Sequence, residues 1–275
     1  MDLLSIIAST DKYNFHTHTQ FCDGRDSMHA IANSAVQAGF EHLGFTPHSP
    51  IAIPSPCNMS TADVDAYRSE VQQLNAHLPI IIYMGMEIDY LSPEHGPAAQ
   101  YFHDLGLDFA IGSVHFIPTR RGNFVDIDGP SERFNRNMST EFDNDLRYVV
   151  ETFYKQSADM IAAGGFDIIG HFDKIVQNGA LYAPQLEEEG WYNDLVEDFI
   201  DVVIASGLIV EINTKARVRL GRFFPHERHW QRLVDAGVPI MVNSDAHYSA
   251  LIDASRDEAL SLLNKCRHGS CTAHS

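Results

Sequence analysis

The residues with the most chemistry in them stand near the start of the 275-residue chain, in the stretch Tyr13-Asn14-Phe15-His16-Thr17-His18-Thr19-Gln20-Phe21-Cys22-Asp23-Gly24. A short apolar run ends in His-x-His, and a carboxylate follows beside a glycine. In a strand, side chains alternate between faces, so His16 and His18 project the same way, two strand steps apart. Two imidazoles at that separation can share one divalent cation, with Asp23 curling back from the turn. An isolated His-x-His fits equally well with one hydrogen-bonded core histidine and one surface histidine. Recurrence decides between the two.

The same arrangement appears six more times. Residues 43–46 precede Pro47-His48-Ser49-Pro50, and residues 80–86 precede Glu87-Ile88-Asp89-Tyr90. Residues 109–114 precede His115, and residues 166–170 precede His171-Phe172-Asp173. Residues 208–210 run into Glu211-Ile212-Asn213-Thr214, and residues 238–242 precede Asn243-Ser244-Asp245-Ala246-His247. The strand-end set is therefore His16, His18, Asp23, His48, Glu87, His115, His171, Asp245 and His247. Zinc takes about four ligands, and manganese or iron more, so this set exceeds the needs of one tetrahedral ion. Three ions sharing bridging carboxylates would use all of it. Any one of these histidines could be a satisfied barrel-end residue, but the whole set is hard to explain that way. The others, His29, His42, His77, His95, His103, His226, His229, His268 and His274, fall on expected helices, loops or the tail. Most are expected to be solvated. The chain is simply rich in histidine, so position rather than number carries the argument.

Positioning such a set requires strands whose carboxyl ends meet. Between the apolar runs, segments 27–38, 61–77, 143–163, 187–206, 225–236 and 250–266 have helical patterning. Several carry cap signals: Thr61-Ala62-Asp63 at a start, and Gly39, Gly164, Gly207 and Gly237 just past an end. Strands alternating with helices predict a parallel sheet with helices outside, and near-continuous apolar strands fit burial on both faces. In an α/β barrel of this size the strand carboxyl ends converge on one mouth, where active sites form. Residues 118–141 form a long polar, glycine-containing stretch expected to be a functional loop. No linker or low-complexity tract interrupts the chain, and one domain over 1–275 is expected.

The composition excludes some partners. A formal net charge of -18 argues against nucleic acid or an anionic membrane, whose recognition rests on clustered Lys and Arg. A small anion is still acceptable, because bound cations set their own local potential. Cys22, Cys57, Cys266 and Cys271 form no CxxC pair and are expected to be reduced thiols. Residues 3–8 are too short for a signal core, and no apolar run reaches transmembrane length, so a cytoplasmic protein is expected.

The segments FHTHT, TPHS, GMEIDY, GSVHF, GHFDK and NSDAH, in this order, resemble the polymerase and histidinol phosphatase (PHP) family over nearly the whole chain. QFCDG, TPHSP and SVHFI resemble its stand-alone histidinol-phosphatase branch. The resemblance implies a distorted seven-stranded (β/α)7 TIM-like barrel with a trinuclear centre of zinc, manganese or iron, mixtures included. By matching positions, one ion would take His16, His18, Glu87 and Asp245. A second would share Glu87 and add His115 and His171. A third would take Asp23, His48 and His247, with Asp23 standing where many relatives place a histidine. The implied reaction is hydrolysis of L-histidinol phosphate by metal-bound hydroxide, with Asp245, His247 and Glu87 as catalytic residues.

That chemistry fits the charges. Three divalent ions, three carboxylates and one hydroxide leave a pocket of roughly +2, suited to a phosphate monoester dianion. A phosphate clamp calls for fixed cations. Lys215 and Arg217, just past a strand end, are the preferred pair, with Arg219 and then Arg120 or Arg121 on the long loop as further candidates. Asp89, Asp173 and Asn213 are candidate orienters of ligand histidines. Within the same scaffold a protein-tyrosine phosphatase is the nearest rival, followed by a nuclease, against which the missing basic stripe weighs. A metal-dependent amidohydrolase would want a bridging Lys where this chain has Ser113-Val114-His115. A non-enzymatic metal-binding module would be expected to have lost ligands, and every position is filled. The oligomeric state is not legible.

Overall fold

The computed structural model describes residues 1–269. Its strands are β1 (Tyr13–Asn14), β2 (His42–Phe45), β3 (Ile81–Asp89), β4 (Phe109–Ser113), β5 (Phe116–Pro118), β6 (Phe124–Asp126), β7 (Ile168–Ile169), β8 (Ile209–Asn213) and β9 (Ile240–Asn243). Seven of them form one parallel sheet in the order β1-β2-β3-β4-β7-β8-β9. The two edges approach each other through a parallel bridge between Thr17 and Ala246, where the His18 N–H donates to the Ala246 carbonyl at 2.9 Å. The sheet is thus a nearly closed seven-stranded α/β barrel, the fold class expected from the alternation of apolar runs and helices.

Apolar residues fill the barrel in two groups. Tyr13, Phe15, Phe109, Ile111, Ile168, Ile209 and Met241 pack together from five of the strands, which only inward-facing side chains of a curled sheet can do. Leu3, on the helix Leu3–Ser9, joins this inner cluster. The lumen is tight. A Cβ at Gly44 would lie 2.5 Å from the Phe109 ring, and one at Gly85 would lie 2.6 Å from it, so two glycines make room for that phenyl group. The larger cluster joins the outer strand faces to the surrounding helices.

The expected helices form, several of them shorter than expected: Thr61-Ala62-Asp63 is a separate 3-10 turn ahead of Val64–His77, and the last helix begins only at Arg256. Ser27 Oγ accepts from the Ala30 N–H to start Met28–Gln37, and Asp145 accepts from the Tyr148 N–H to start Leu146–Ala163. Gly207, at φ +70°, ends Gly190–Ser206 in the left-handed conformation that glycine adopts at no steric cost. The long polar stretch departs from expectation. It holds the antiparallel pair β5–β6 and the helix Ser131–Thr140. Both strands are only three residues long, too short to show a period. The first apolar run is also less regular than expected: the ladder stops at Asn14, with a single further bridge at Thr17.

Cys22 and Cys57 are free thiols, as expected, but Cys266 is disulfide-bonded. Cys271 and His274 lie outside the described residues. His29, His77, His95, His103 and His268 are exposed, whereas His229 is buried. Among the described residues, no helix is long and apolar enough to cross a membrane.

Candidate metal centre

The barrel mouth gathers all nine strand-end residues. They fall into overlapping groups: His18, Asp23, His48 and His247; His16, His18 and Asp245; His16, Glu87 and His171; His48, Glu87 and His115. In each group one potential ligand atom per residue lies within 4.8 Å of the others. Residues from Asp23 to Asp245 therefore meet at one rim.

Local backbone devices bring them there. Past Asn14 the chain leaves the ladder, and side-chain amides take over. The Asn243 side chain accepts from the Phe15 N–H at 2.8 Å, and the Asn14 side chain accepts from the His16 N–H at 3.2 Å. His16 Nε2 and His18 Nε2 then come within 3.2 Å of each other. Asp245 sits at φ +50°, a left-handed conformation that Asp tolerates better than most residues and that is often retained at functional sites.

Glu87 lies at the centre, almost fully buried. Its Oε1 is 2.9 Å from His171 Nε2 and 3.4 Å from His115 Nε2. Its Oε2 is 3.1 Å from His48 Nδ1 and 3.3 Å from His16 Nε2. Ser113 Oγ donates to Oε1 at 2.7 Å. A shared carboxylate thus occupies the middle, beside a serine where an amidohydrolase would want its lysine. Asp245 Oδ1 lies 3.1 Å from His18 Nε2 and 3.9 Å from His16 Nε2. Asp23 Oδ1 lies 3.3 Å from His247 Nε2 and 3.8 Å from His48 Nε2.

The donor atoms suit divalent ions. Asp23 Oδ1, His48 Nδ1, Glu87 Oε2 and His115 Nε2 are buried without a hydrogen-bond partner. His48 Nδ1 and Glu87 Oε2 stay unpartnered even though only 3.1 Å separates them. Buried polar atoms are nearly always satisfied, and four orphans facing one space are what cation ligands look like without the cation. Protonation favours the same reading. Burial, reinforced by His247 and His48, pushes His18 well below the ordinary imidazole value. Burial also lowers His48 and His171, so these rings are neutral and keep a lone pair. Burial opposes the charge on Glu87, but His16, His115 and His48 hold the carboxylate well below its usual range.

Around this set stands a layer of orienting groups. The N–H at His16 Nδ1 donates to Glu211 Oε1 at 2.6 Å. Burial alone would depress His16, but Glu211, Glu87 and Asp245 together hold it well above the usual value. The His115 N–H at Nδ1 donates to Asp89 Oδ1 at 2.8 Å. Burial would lower His115 too, yet Asp89 and Glu87 bring it to about 9. The Asn213 amide donates to Asp245 Oδ2 at 3.0 Å and to Glu211 Oε2 at 3.1 Å. Asp89 therefore orients a histidine, whereas Asn213 orients a carboxylate. Asp173 does neither: it accepts from the His226 N–H at 2.9 Å and from Arg222 at 3.3 Å.

Of Lys215, Arg217 and Arg120, only Lys215 reaches the cluster. Lys215 Nζ lies 3.1 Å from Asp245 Oδ1 and 3.2 Å from His247 Nε2. Arg217 begins the short helix Arg217–Leu220, which turns its side chain onto Glu258 at 2.5 Å. Arg120 pairs with Asp145 at 2.5 Å and covers the Tyr148 ring. Neither arginine contacts the cluster, because each is taken up by a surface carboxylate. A second lysine, Lys174, approaches the cluster instead. Its buried Nζ lies 2.9 Å from Asp128 Oδ2 and 4.0 Å from Asp245 Oδ2. Sequence reasoning missed Lys174 and the role of Glu211. For Glu211 the available signal was a charge inside an apolar strand, which burial obliges to find a partner.

Comparison with known proteins agrees with this geometry. The PHP domain model matches residues 14–215. A protein of Schizosaccharomyces pombe assigned as a histidinol-phosphatase is 26% identical over 271 residues, covering 91% of this chain and 85% of its own length. The crystal structure of a protein of Listeria monocytogenes assigned as the histidinol phosphatase HisK superimposes with a TM-score of 0.78. It has 18% identity and covers 90% of this chain and 99% of that one. The histidinol phosphate phosphatase of Lactococcus lactis, crystallised with zinc, L-histidinol and phosphate, gives a TM-score of 0.66 at 18% identity. It covers 93% of this chain and 94% of that one. With its family model spanning most of the barrel and every strand-end residue gathered at one mouth, the chain belongs to the PHP family.

Proposed function

We propose that this chain is a metal-dependent phosphatase that hydrolyses L-histidinol phosphate to L-histidinol and phosphate. One observation carries the reading: two lysines flank Asp245 at the edge of a nine-residue ligand cluster. That arrangement offers a dianion two fixed cations beside the ions that would activate water. The names of the relatives, and the zinc, L-histidinol and phosphate bound to the Lactococcus protein, support the same substrate.

His16, His18 and Asp245 with Glu87 would hold one ion. Glu87, His115 and His171 would hold a second, and Asp23, His48 and His247 a third. Zinc, manganese and iron all accept such imidazole and carboxylate ligands. When bound, divalent ions supply charge for the phosphate oxygens and lower the pKa of water. The chain's own groups do the rest. Lys174 and Lys215 hold phosphate oxygens from two sides. Asp245 is held in position through Oδ2, to which the Asn213 amide donates. Glu87, shared between groups, keeps them in register, and His247 lies beside Lys215.

Phosphate release from L-histidinol phosphate, phosphotyrosine and a nucleotide monoester tests the proposal. Metal-replete protein should turn over the first at least about tenfold better than the others. Equal turnover of all three would remove the substrate assignment, and none would remove the phosphatase.

A further inference from the structure

The β5–β6 hairpin leaves the barrel directly after His115 and returns to it, since the Ile127 N–H donates to the His115 carbonyl at 2.9 Å. The next residue, Asp128, is held rigidly. Asp126 Oδ1 accepts from the Asp128 N–H at 2.8 Å. The buried Asn178 amide donates to the carbonyls on either side, Ile127 and Gly129, at 2.9 Å each. The Asp128 side chain remains 27% exposed, while its partner Lys174 is 9% exposed. Burial works against its charge, but Lys174 first, then His115 and Lys215, hold it below the usual carboxylate range. Asp128 thus faces the same rim as the ligand cluster, although it belongs to none of the ligand groups.

Resting on the phosphatase reading above, we propose that the Asp128–Lys174 pair selects phosphate esters of 2-amino alcohols. Such an ester carries an anionic phosphate and a cationic ammonium on adjacent carbons. The ion pair presents the opposite charges side by side, 2.9 Å apart. Lys174 Nζ faces the phosphate from beside Asp245, and Asp128 accepts from the ammonium through its exposed edge. A phosphotyrosine ester has no ammonium at that position and gains nothing from Asp128.

The test compares L-histidinol phosphate with its deaminated analogue, 3-(imidazol-4-yl)propyl phosphate, in wild type, Asp128→Asn and Asp128→Glu. Wild type should prefer the amino ester in kcat/KM by about tenfold or more, the size of one charge-assisted hydrogen bond. Asp128→Asn, which still offers Lys174 an oxygen, should bring that ratio close to one, and Asp128→Glu should restore part of it. A wild type without preference, an Asn variant that keeps it, or an Asn variant that loses both esters in equal proportion would overturn the proposal. If metal-replete wild type hydrolyses neither ester, the phosphatase reading itself fails and takes this selectivity with it.

Discussion

His16 Nδ1 and Glu211 Oε1 lie 2.6 Å apart, both fully buried on the inner side of the barrel. The hydrogen bond fixes the proton of His16 on Nδ1 and leaves Nε2 turned toward Glu87 and Asp245. A histidine held in this way has its ring plane and its Nδ1 proton set before any ion arrives, so a cation would meet it through Nε2.

Glu211→Gln should therefore weaken metal retention without unfolding the barrel. A loss of about 10–100-fold in metal affinity is expected for a partner of this kind. Metal titration followed by metal analysis of the dialysed protein measures it. Unchanged affinity would mean that the pair is only structural.

Glu87 has a larger role, because five imidazoles converge on its two oxygens. Glu87→Ala and His16→Ala should each lower turnover well beyond the roughly 100-fold expected for an orienting partner. Circular dichroism should show the fold retained. Full activity in either variant would refute the ligand assignment.

Lys215 and Arg217 are two positions apart and should behave differently. Lys215→Met should raise KM, and the Ki of inorganic phosphate, by about tenfold or more, as loss of a charge-assisted contact does. Arg217→Met should change neither by more than about twofold, since its partners are Glu258 and Glu227 on the surface. Steady-state kinetics of the two variants side by side would expose an exchange of roles.

His229 links stability to pH. Burial, with Arg228 beside it, lowers its pKa to about 3, and its Nε2 accepts from Arg228 Nε at 3.0 Å. A depressed imidazole pKa favours the neutral folded form. Its contribution is present above the unfolded value near 6.5 and is lost as pH falls from there toward 3. Wild type should lose about 1.4 kcal/mol per pH unit through this group between about pH 6 and 4. His229→Gln should lack that slope. Urea midpoints of the two proteins at pH 7, 6 and 5 give the difference, and parallel curves would count against it.

The nine cluster residues were legible because each stands where an apolar run stops, and a parallel barrel brings all such places to one mouth. Helix ends were legible through Gly39, Gly164, Gly207 and Gly237, all at positive φ, because such caps are local. Other parts depend on distant chain. Asp128 reaches the rim only because a short hairpin folds back on His115. Arg217 looked like a clamp residue from its distance past β8, until one helical turn carried it to Glu258. Asp173 shares a segment with His171 yet serves Arg222 and the His226 backbone, a pairing set by tertiary contact alone.

The most direct measurement is metal content and phosphate release on one preparation, before chelation, after it, and after divalent ions are returned. About three ions per chain are expected in the active protein, with hydrolysis of L-histidinol phosphate lost on chelation and recovered on reloading. Undiminished hydrolysis by metal-free protein would contradict the account at its centre.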